Sequence, residues 1–217
     1  MTKESKSNLK SRTIKIIKLL KKYYPDSKCS LTFNSAHQLL VATILSAQCT
    51  DERVNMVTPN LFKKYRSVKA FADADISELE DYIRSTGFFK NKARAIKNSA
   101  LMIINDFSGR IPRSLDEIVK LPGVGRKTGS VVLGTAFEIA EGIVVDTHVS
   151  RISQRLELTG QKNPDKIEAD LMKIIPYKDW VIYSHLMIDF GRSVCKARKP
   201  DCSGCFLSNF CPSKDKF

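Results

Sequence analysis

Four cysteines, Cys195, Cys202, Cys205 and Cys211, fall within 17 positions with the spacing C-x6-C-x2-C-x5-C. Four thiolates so close in a chain can surround a metal centre, and both zinc and iron–sulfur clusters accept four cysteines. Zinc sites usually pair two C-x2–4-C units, and only Cys202 and Cys205 form such a pair here. Between the first two thiols lie Lys196, Arg198 and Lys199, a basic loop that a ring of ligands would hold rigid. The other chemistry-bearing stretch is residues 121–137, LPGVGRKTGSVVLGTAF. Gly123 and Gly125 flank Val124, a pattern for a tight turn in which both glycines take positive φ and present N–H groups. A helix starting near Arg126 adds the positive end of its dipole, making a cradle for a phosphate oxygen, with Val124 turned inward as an apolar pin. Taken singly these residues also fit plainer roles. GxG is an ordinary corner between helices, Lys127 a solvated lysine, and Asp146 a helix cap beside Thr147.

Helices must position these groups. In residues 12–24 the periodicity places Ile14, Ile17, Leu20 and Tyr24 on one stripe with lysines opposite. Residues 35–47 read as an apolar helix capped by Ser35, and another is expected after Thr50. Asp75 with Glu78, and Ser114 with Glu117, have capping-box spacing. Residues 91–106 carry Ala93, Ile96, Ala100 and Ile103 at helical spacing. Asn163-Pro164 reads as an N-cap and first helical residue, and residues 177–190 as a helix ending before Gly191. The β-like run Ile143-Val144-Val145 is too short for a sheet and reads as a buried connection. The fold class is all-α.

The chain has 217 residues, 42% of them hydrophobic, enough for one large core or two small ones. No apolar run is long enough to span a membrane, and the lysine-rich start lacks the apolar core of a secretory signal, so the expectation is an intracellular chain without disulfides. Cys29 and Cys49 read as ordinary buried thiols. The net charge of +13 is uneven: +7 falls in residues 1–28, +4 in residues 192–217, and +2 in the 163 residues between. Such charge suits a polyphosphate partner, although a solubilising lysine surface explains charge alone equally well.

The whole string LPGVGRKT resembles the helix–hairpin–helix motif of the endonuclease III family of DNA glycosylases. Asp146 follows Lys127 by nineteen residues, within Val145-Asp146-Thr147-His148, which is similar to that family's VDTH segment. The connection 137–145 carries about one residue more than the family pattern. The cysteine spacing matches the family's 4Fe–4S loop, so the iron–sulfur assignment rests on resemblance rather than on ligand arithmetic. Leu45–Asp51 matches the segment whose glutamine, here Gln48, enters the duplex, and 87–93 matches the wedge loop with Phe88 at its tip. A Phe-Phe wedge departs from the aliphatic residue more usual at its first position. The plain alternatives are a helix-end residue for Gln48 and a core residue for Phe88.

The resemblance implies a bifunctional DNA glycosylase and abasic-site lyase acting on oxidised or ring-saturated pyrimidines in double-stranded DNA. Lys127 would attack the anomeric carbon, expel the base and form a Schiff base, and β-elimination would then nick the strand. A free lysine, with a pKa of about 10.4, is mostly protonated. The helix dipole and Arg126 favour the uncharged amine at Lys127. Asp146 would stabilise positive charge developing on the sugar, and His148 reads as a hydrogen-bonding residue rather than a proton shuttle. Gly123, Val124, Gly125 and Arg126 would contact phosphate, as would Lys196, Arg198 and Lys199. The expected architecture is a helical barrel domain over 29–139 and a discontinuous cluster domain over 1–28 plus 140–217, with DNA in a cleft between the two lobes. The expected state is a monomer in the cytoplasm with the chromosome, or in a nucleus or organelle in a eukaryote. Lys127 counts against two rivals. An adenine-mismatch glycosylase would lack a lysine at position 127 and usually carries an extra C-terminal domain. A non-catalytic DNA-binding protein would hold zinc in the quartet.

Overall fold

A computed structural model describes residues 4–214 and 216, and among them every regular element is helical. In chain order these are α1 (Lys6–Tyr23), α2 (Ala36–Leu45), α3 (Asp51–Lys64), α4 (Val68–Ala72), α5 (Ile76–Ile83), α6 (Phe89–Asp106), α7 (Leu115–Ile118), α8 (Arg126–Phe137), α9 (Thr147–Arg155), α10 (Pro164–Ile174) and α11 (Trp180–Ser193). The chain divides into two compact units, Cys29–Glu141 and a discontinuous one made of Met1–Lys28 with Gly142–Phe217. Each has its own apolar core.

In the unit Cys29–Glu141, α2 is central. Its run Leu39–Leu45 is buried on every side, which is why its sequence is apolar all round rather than striped. It packs against α8, α3 and α6, while α4 and α5 close on α6. Ser35 caps α2 and Thr50 caps α3, each accepting the N–H three residues on. The Asp75 cap forms, but its reciprocal half does not. Glu78 instead accepts from the Tyr65 hydroxyl and pairs with Lys64, leaving only one arm of the expected capping box. At α7 the Ser114 hydroxyl turns to the Glu117 carboxylate and caps no backbone N–H.

In the discontinuous unit, α1 begins six residues earlier than its periodicity suggested, at a Ser5 cap. Its buried stripe is Thr13, Ile16, Ile17 and Leu20, and Ile14 is 45% exposed. The i, i+3, i+4, i+7 set beginning at Thr13 includes a small polar residue, whose hydroxyl donates to the Leu9 carbonyl and so can be buried. Each of these buried aliphatic side chains contributes about 1.5–3 kcal/mol relative to exposure. The Arg12 guanidinium donates to the carbonyls of Leu156 and Phe210, and Tyr23 stacks on Phe206 with ring centroids 3.9 Å apart, so the first helix is fastened to the last segment.

The end of α11 also differs from expectation. The helix runs through Gly191 to Ser193 after a 3₁₀ turn at Tyr177–Asp179. Gly191 does not terminate it but lets it approach α9. A Cβ there would sit 2.5 Å from the His148 Nδ1 and 2.9 Å from the Ile152 Cδ1. Ile143 is buried in an irregular connection, and the Ser184 hydroxyl donates to the Val144 carbonyl.

Candidate functional site

The glycine turn between α7 and α8 is asymmetric. Gly123 has φ +78° and Gly125 has φ −87°, ψ 174°, so only the first glycine takes the left-handed conformation expected of both. Gly123 also lies against α6, where a Cβ would meet the Ala95 Cβ at 2.7 Å, whereas a Cβ on Gly125 would meet nothing within 4 Å. Val124 is 5% exposed, and its N–H donates to the Leu121 carbonyl, which removes it from the set of free donors. No side chain caps α8. The N–H groups of its first turn therefore face outward at the positive end of the helix, an arrangement suited to a phosphate oxygen. Arg126 and Lys127 are exposed in that turn, and the Lys127 Nζ has no partner among the described residues.

Two further turns of the same unit carry exposed residues in strained backbone. Gln48 has φ +53° in the turn after α2, and Phe88 has φ +49°, ψ 27° as the N-cap of α6. For residues other than glycine such φ values cost energy and persist only where surroundings impose them. Phe88 is 64% exposed and so is not a core residue, and Gln48 lies past the end of α2 with its side chain in solvent. Cys49, beside Gln48, is half-buried, as is Cys29, whose thiol is pushed up chiefly by burial.

In the discontinuous unit Asp146 caps α9. Its Oδ1 accepts the Val149 N–H at 2.8 Å, while Oδ2 accepts no hydrogen bond among the described residues. The carboxylate is thus fixed in orientation by one oxygen and free to act through the other. His148 meets the Arg151 Nη2 through Nδ1 at 3.2 Å, and burial lowers its pKa, with Asp146 opposing. A guanidinium donating to Nδ1 leaves the imidazole neutral with its proton on Nε2.

The same helix holds the cysteine loop. Arg151 donates to the Cys195 carbonyl at 3.1 Å, and Arg155 donates to the carbonyls of Lys196 and Ala197 and to the Cys195 Sγ. Nothing in the local sequence marks either arginine as an anchor. They hold the backbone of Lys196–Lys199 while all four side chains stay exposed, Lys199 with φ +52°.

Cys195, Cys202, Cys205 and Cys211 line one small cavity that opens to solvent, with Leu156, Phe190, Val194 and Leu207 as its apolar wall. Among the described residues no group of His, Cys, Asp and Glu side chains is arranged to hold a single metal ion. The quartet nevertheless converges. The Cys205 thiol is raised first by burial and further by the negative charge of Cys195, Cys211 and Cys202. The Leu207 N–H donates to the Cys205 Sγ at 3.4 Å, a contact that stabilises a thiolate. Four sulfur donors around an apolar space, with N–H groups turned to them, fit a 4Fe–4S cluster. The four cysteines would be its ligands.

Two family models match the chain. Residues 41–177 match the HhH-GPD superfamily of base excision DNA repair proteins, and residues 195–211 match the iron–sulfur binding domain of endonuclease III. Endonuclease III of Synechocystis sp. is 53% identical over 94% of this chain and 93% of its own. The Bacillus subtilis enzyme is 43% identical over 89% and 88%. A solved structure of a trapped endonuclease III–DNA covalent intermediate superposes with a TM-score of 0.88 at 44% identity, covering 95% of this chain and 97% of that one. The chain belongs to the endonuclease III family of 4Fe–4S DNA glycosylases and abasic-site lyases of base excision repair.

Proposed function

We propose that Lys127 is the nucleophile of this enzyme and Asp146 its charge-stabilising carboxylate, acting on oxidised or ring-saturated pyrimidines in double-stranded DNA. The observation that carries the reading is Lys127 itself, an exposed amine without a partner among the described residues, in the first turn of a helix with no side-chain cap. The Lys127 Nζ attacks C1′ of the damaged nucleotide as the glycosidic bond breaks, and the base leaves with the bonding electrons and takes up a proton. Asp146, through Oδ2, opposes the positive charge that develops on the sugar. Ring opening gives the Schiff base, loss of a C2′ proton follows, and β-elimination expels the 3′ phosphate. Capture of a similar protein as a covalent intermediate with DNA supports this route.

The duplex contacts fall to the turn Gly123-Val124-Gly125-Arg126 and to Lys196, Arg198 and Lys199, which neutralise phosphates. Gln48 enters the space that the flipped nucleotide vacates, and Phe88 wedges the neighbouring bases apart. The cluster fixes the basic loop, and the protein works as a monomer on the chromosome in the cytoplasm. No helix among the described residues is long and apolar enough to cross a membrane.

Borohydride trapping on a duplex containing thymine glycol tests the nucleophile. A reduced covalent complex is expected with the wild type and not with Lys127→Ala. If wild type traps on an abasic-site duplex but not on thymine glycol, the lesion class is wrong. Failure on both, or trapping that survives Lys127→Ala, overturns the assignment of Lys127.

A further inference from the structure

Lys92 lies in the first turn of α6 and is only 6% exposed, an unusual place for an ammonium group. Its Nζ donates to the Leu45 carbonyl at 2.7 Å and to the Thr86 carbonyl at 2.8 Å. Leu45 is the last residue of α2, whose final turn contains no basic side chain of its own, so the ammonium answers the negative end of that helix. Thr86 closes the 3₁₀ turn Arg84–Thr86, and its hydroxyl is occupied by the Ile83 carbonyl. Each acceptor stands just before one of the strained turns. Gln48 follows Leu45 by three residues, and Phe88 follows Thr86 by two, across Gly87 with φ +71°. The Lys92 N–H donates in addition to the Phe88 carbonyl at 3.1 Å. One side chain thus ties together two segments 41 positions apart in sequence that share no direct hydrogen bond in this network.

Burial lowers the Lys92 pKa, and the nearby Cys49 opposes that shift. Two carbonyls and a helix C-terminus compensate the buried charge, which would otherwise be costly. A hydrophobic residue of similar length would fill the same space, so packing alone does not require lysine at this position. What lysine adds is a common anchor.

We infer that Lys92 is a positioning residue that fixes the Gln48 turn and the Phe88 turn in one frame, so that the two side chains engage a duplex as a preset pair. The inference rests on the proposed roles of Gln48 and Phe88. Uncoupling the turns costs the enzyme on a stacked duplex, where a base must be extruded and its space filled. It costs less on a single strand, where there is no stack to open.

The test compares wild type with Lys92→Met, which keeps the length and removes all donors, using single-turnover lyase kinetics on an abasic site in duplex and in single-stranded oligonucleotides. 2-Aminopurine placed opposite the abasic site reports unstacking. The ratio of duplex to single-strand rate is expected to fall on the order of 10²-fold, the cost of a displacement of about 1 Å in a reacting complex. The 2-aminopurine signal should slow in parallel. Should Lys92→Met not fold, Lys92→Gln, which keeps donors for one carbonyl, is expected to lower the ratio in the same direction by less. Gln48→Ala and Phe88→Ala are measured beside it. If they lower the duplex rate and the Lys92 variants leave ratio and signal unchanged, Lys92 has no positioning role. If neither alanine variant affects the duplex, the reading of Gln48 and Phe88 fails and the inference with it.

Discussion

Replacing Gly123 and Gly125 with alanine, one at a time, should separate two functions that the motif packs into three residues. At Gly123 the new methyl meets two penalties. The backbone sits at φ +78°, where an L-residue costs about 1–2 kcal/mol. The Cβ would also stand 2.7 Å from the Ala95 Cβ on α6, well inside carbon–carbon contact, and overpacking of this kind costs about 1–3 kcal/mol. Together Gly123→Ala should destabilise the unit by about 2–5 kcal/mol. At Gly125 φ is −87° and nothing lies within 4 Å of the added atom. A small loss at the N-cap and a small gain from a stiffer unfolded chain leave a net change within about 0.5 kcal/mol. If the turn holds a phosphate as proposed, the same methyl would crowd that phosphate, so duplex affinity should fall while stability holds. Hydrogen exchange of α6 and α8 amides reads this unit alone, and fluorescence anisotropy with a labelled duplex reads affinity. Equal loss of protection in the two variants, or a loss below about 1 kcal/mol for Gly123→Ala, would refute the asymmetry.

Asp146→Asn keeps an acceptor for the Val149 N–H and should leave stability within about 0.5 kcal/mol, yet lower the single-turnover rate on the order of 10²-fold. Asp146→Ala should in addition lose about 1 kcal/mol of stability by chemical denaturation, and equal activity of Asn and wild type would show that the cap is its whole role. Arg155→Ala removes the donors to the Lys196 and Ala197 carbonyls and to the Cys195 Sγ, so the cluster's visible absorbance should bleach faster under a chelator than in wild type. The His37 pKa is lowered by burial, and its buried Nε2 has no hydrogen-bond partner among the described residues. A histidine depressed in the folded state contributes stability that is full above its unfolded pKa of about 6.5 and is lost as pH falls toward the folded value. As pH falls below about 6.5 the unit Cys29–Glu141 should weaken, and His37→Phe should flatten the slope seen by hydrogen exchange.

What chemistry could be read in advance was the chemistry written in contiguous spacing. The cysteine quartet and LPGVGRKT each lie within 17 consecutive residues, so residue type and order carry them. Helix starts marked by Ser35, Thr50 and Asn163 were likewise legible, because an N-cap is a local hydrogen bond. What stayed hidden depended on partners distant in the chain. Gly191 looks like a helix stop until α9 is seen against it, and Glu78 looks like a capping-box arm until Tyr65 and Lys64 claim it. Ile14 satisfies a helical stripe on paper, yet the true stripe keeps Ile17 and Leu20 and takes Thr13 and Ile16 in place of Ile14 and Tyr24, because Thr13 can hide its hydroxyl on the preceding turn. Lys92 is the extreme case. In the sequence it is one lysine among many, and its role exists only through two backbone carbonyls that no pattern announces.

The split of one unit across both ends of the chain sets an order of events at the ribosome. α1 emerges well before its partners, since Ile16, Ile17 and Leu20 pack on residues beyond 142. The contiguous unit Cys29–Glu141 can close its core meanwhile, since domains fold as units as they leave the exit tunnel. The leading helix must therefore wait, amphipathic and unmatched, until the trailing segment arrives to receive it. The pocket for iron and sulfide is completed at that same moment, because Arg12 and Tyr23 of α1 clasp the segment that carries Phe206 and Phe210. Closure of the cluster pocket is thus coupled to the docking of α1 on the trailing segment.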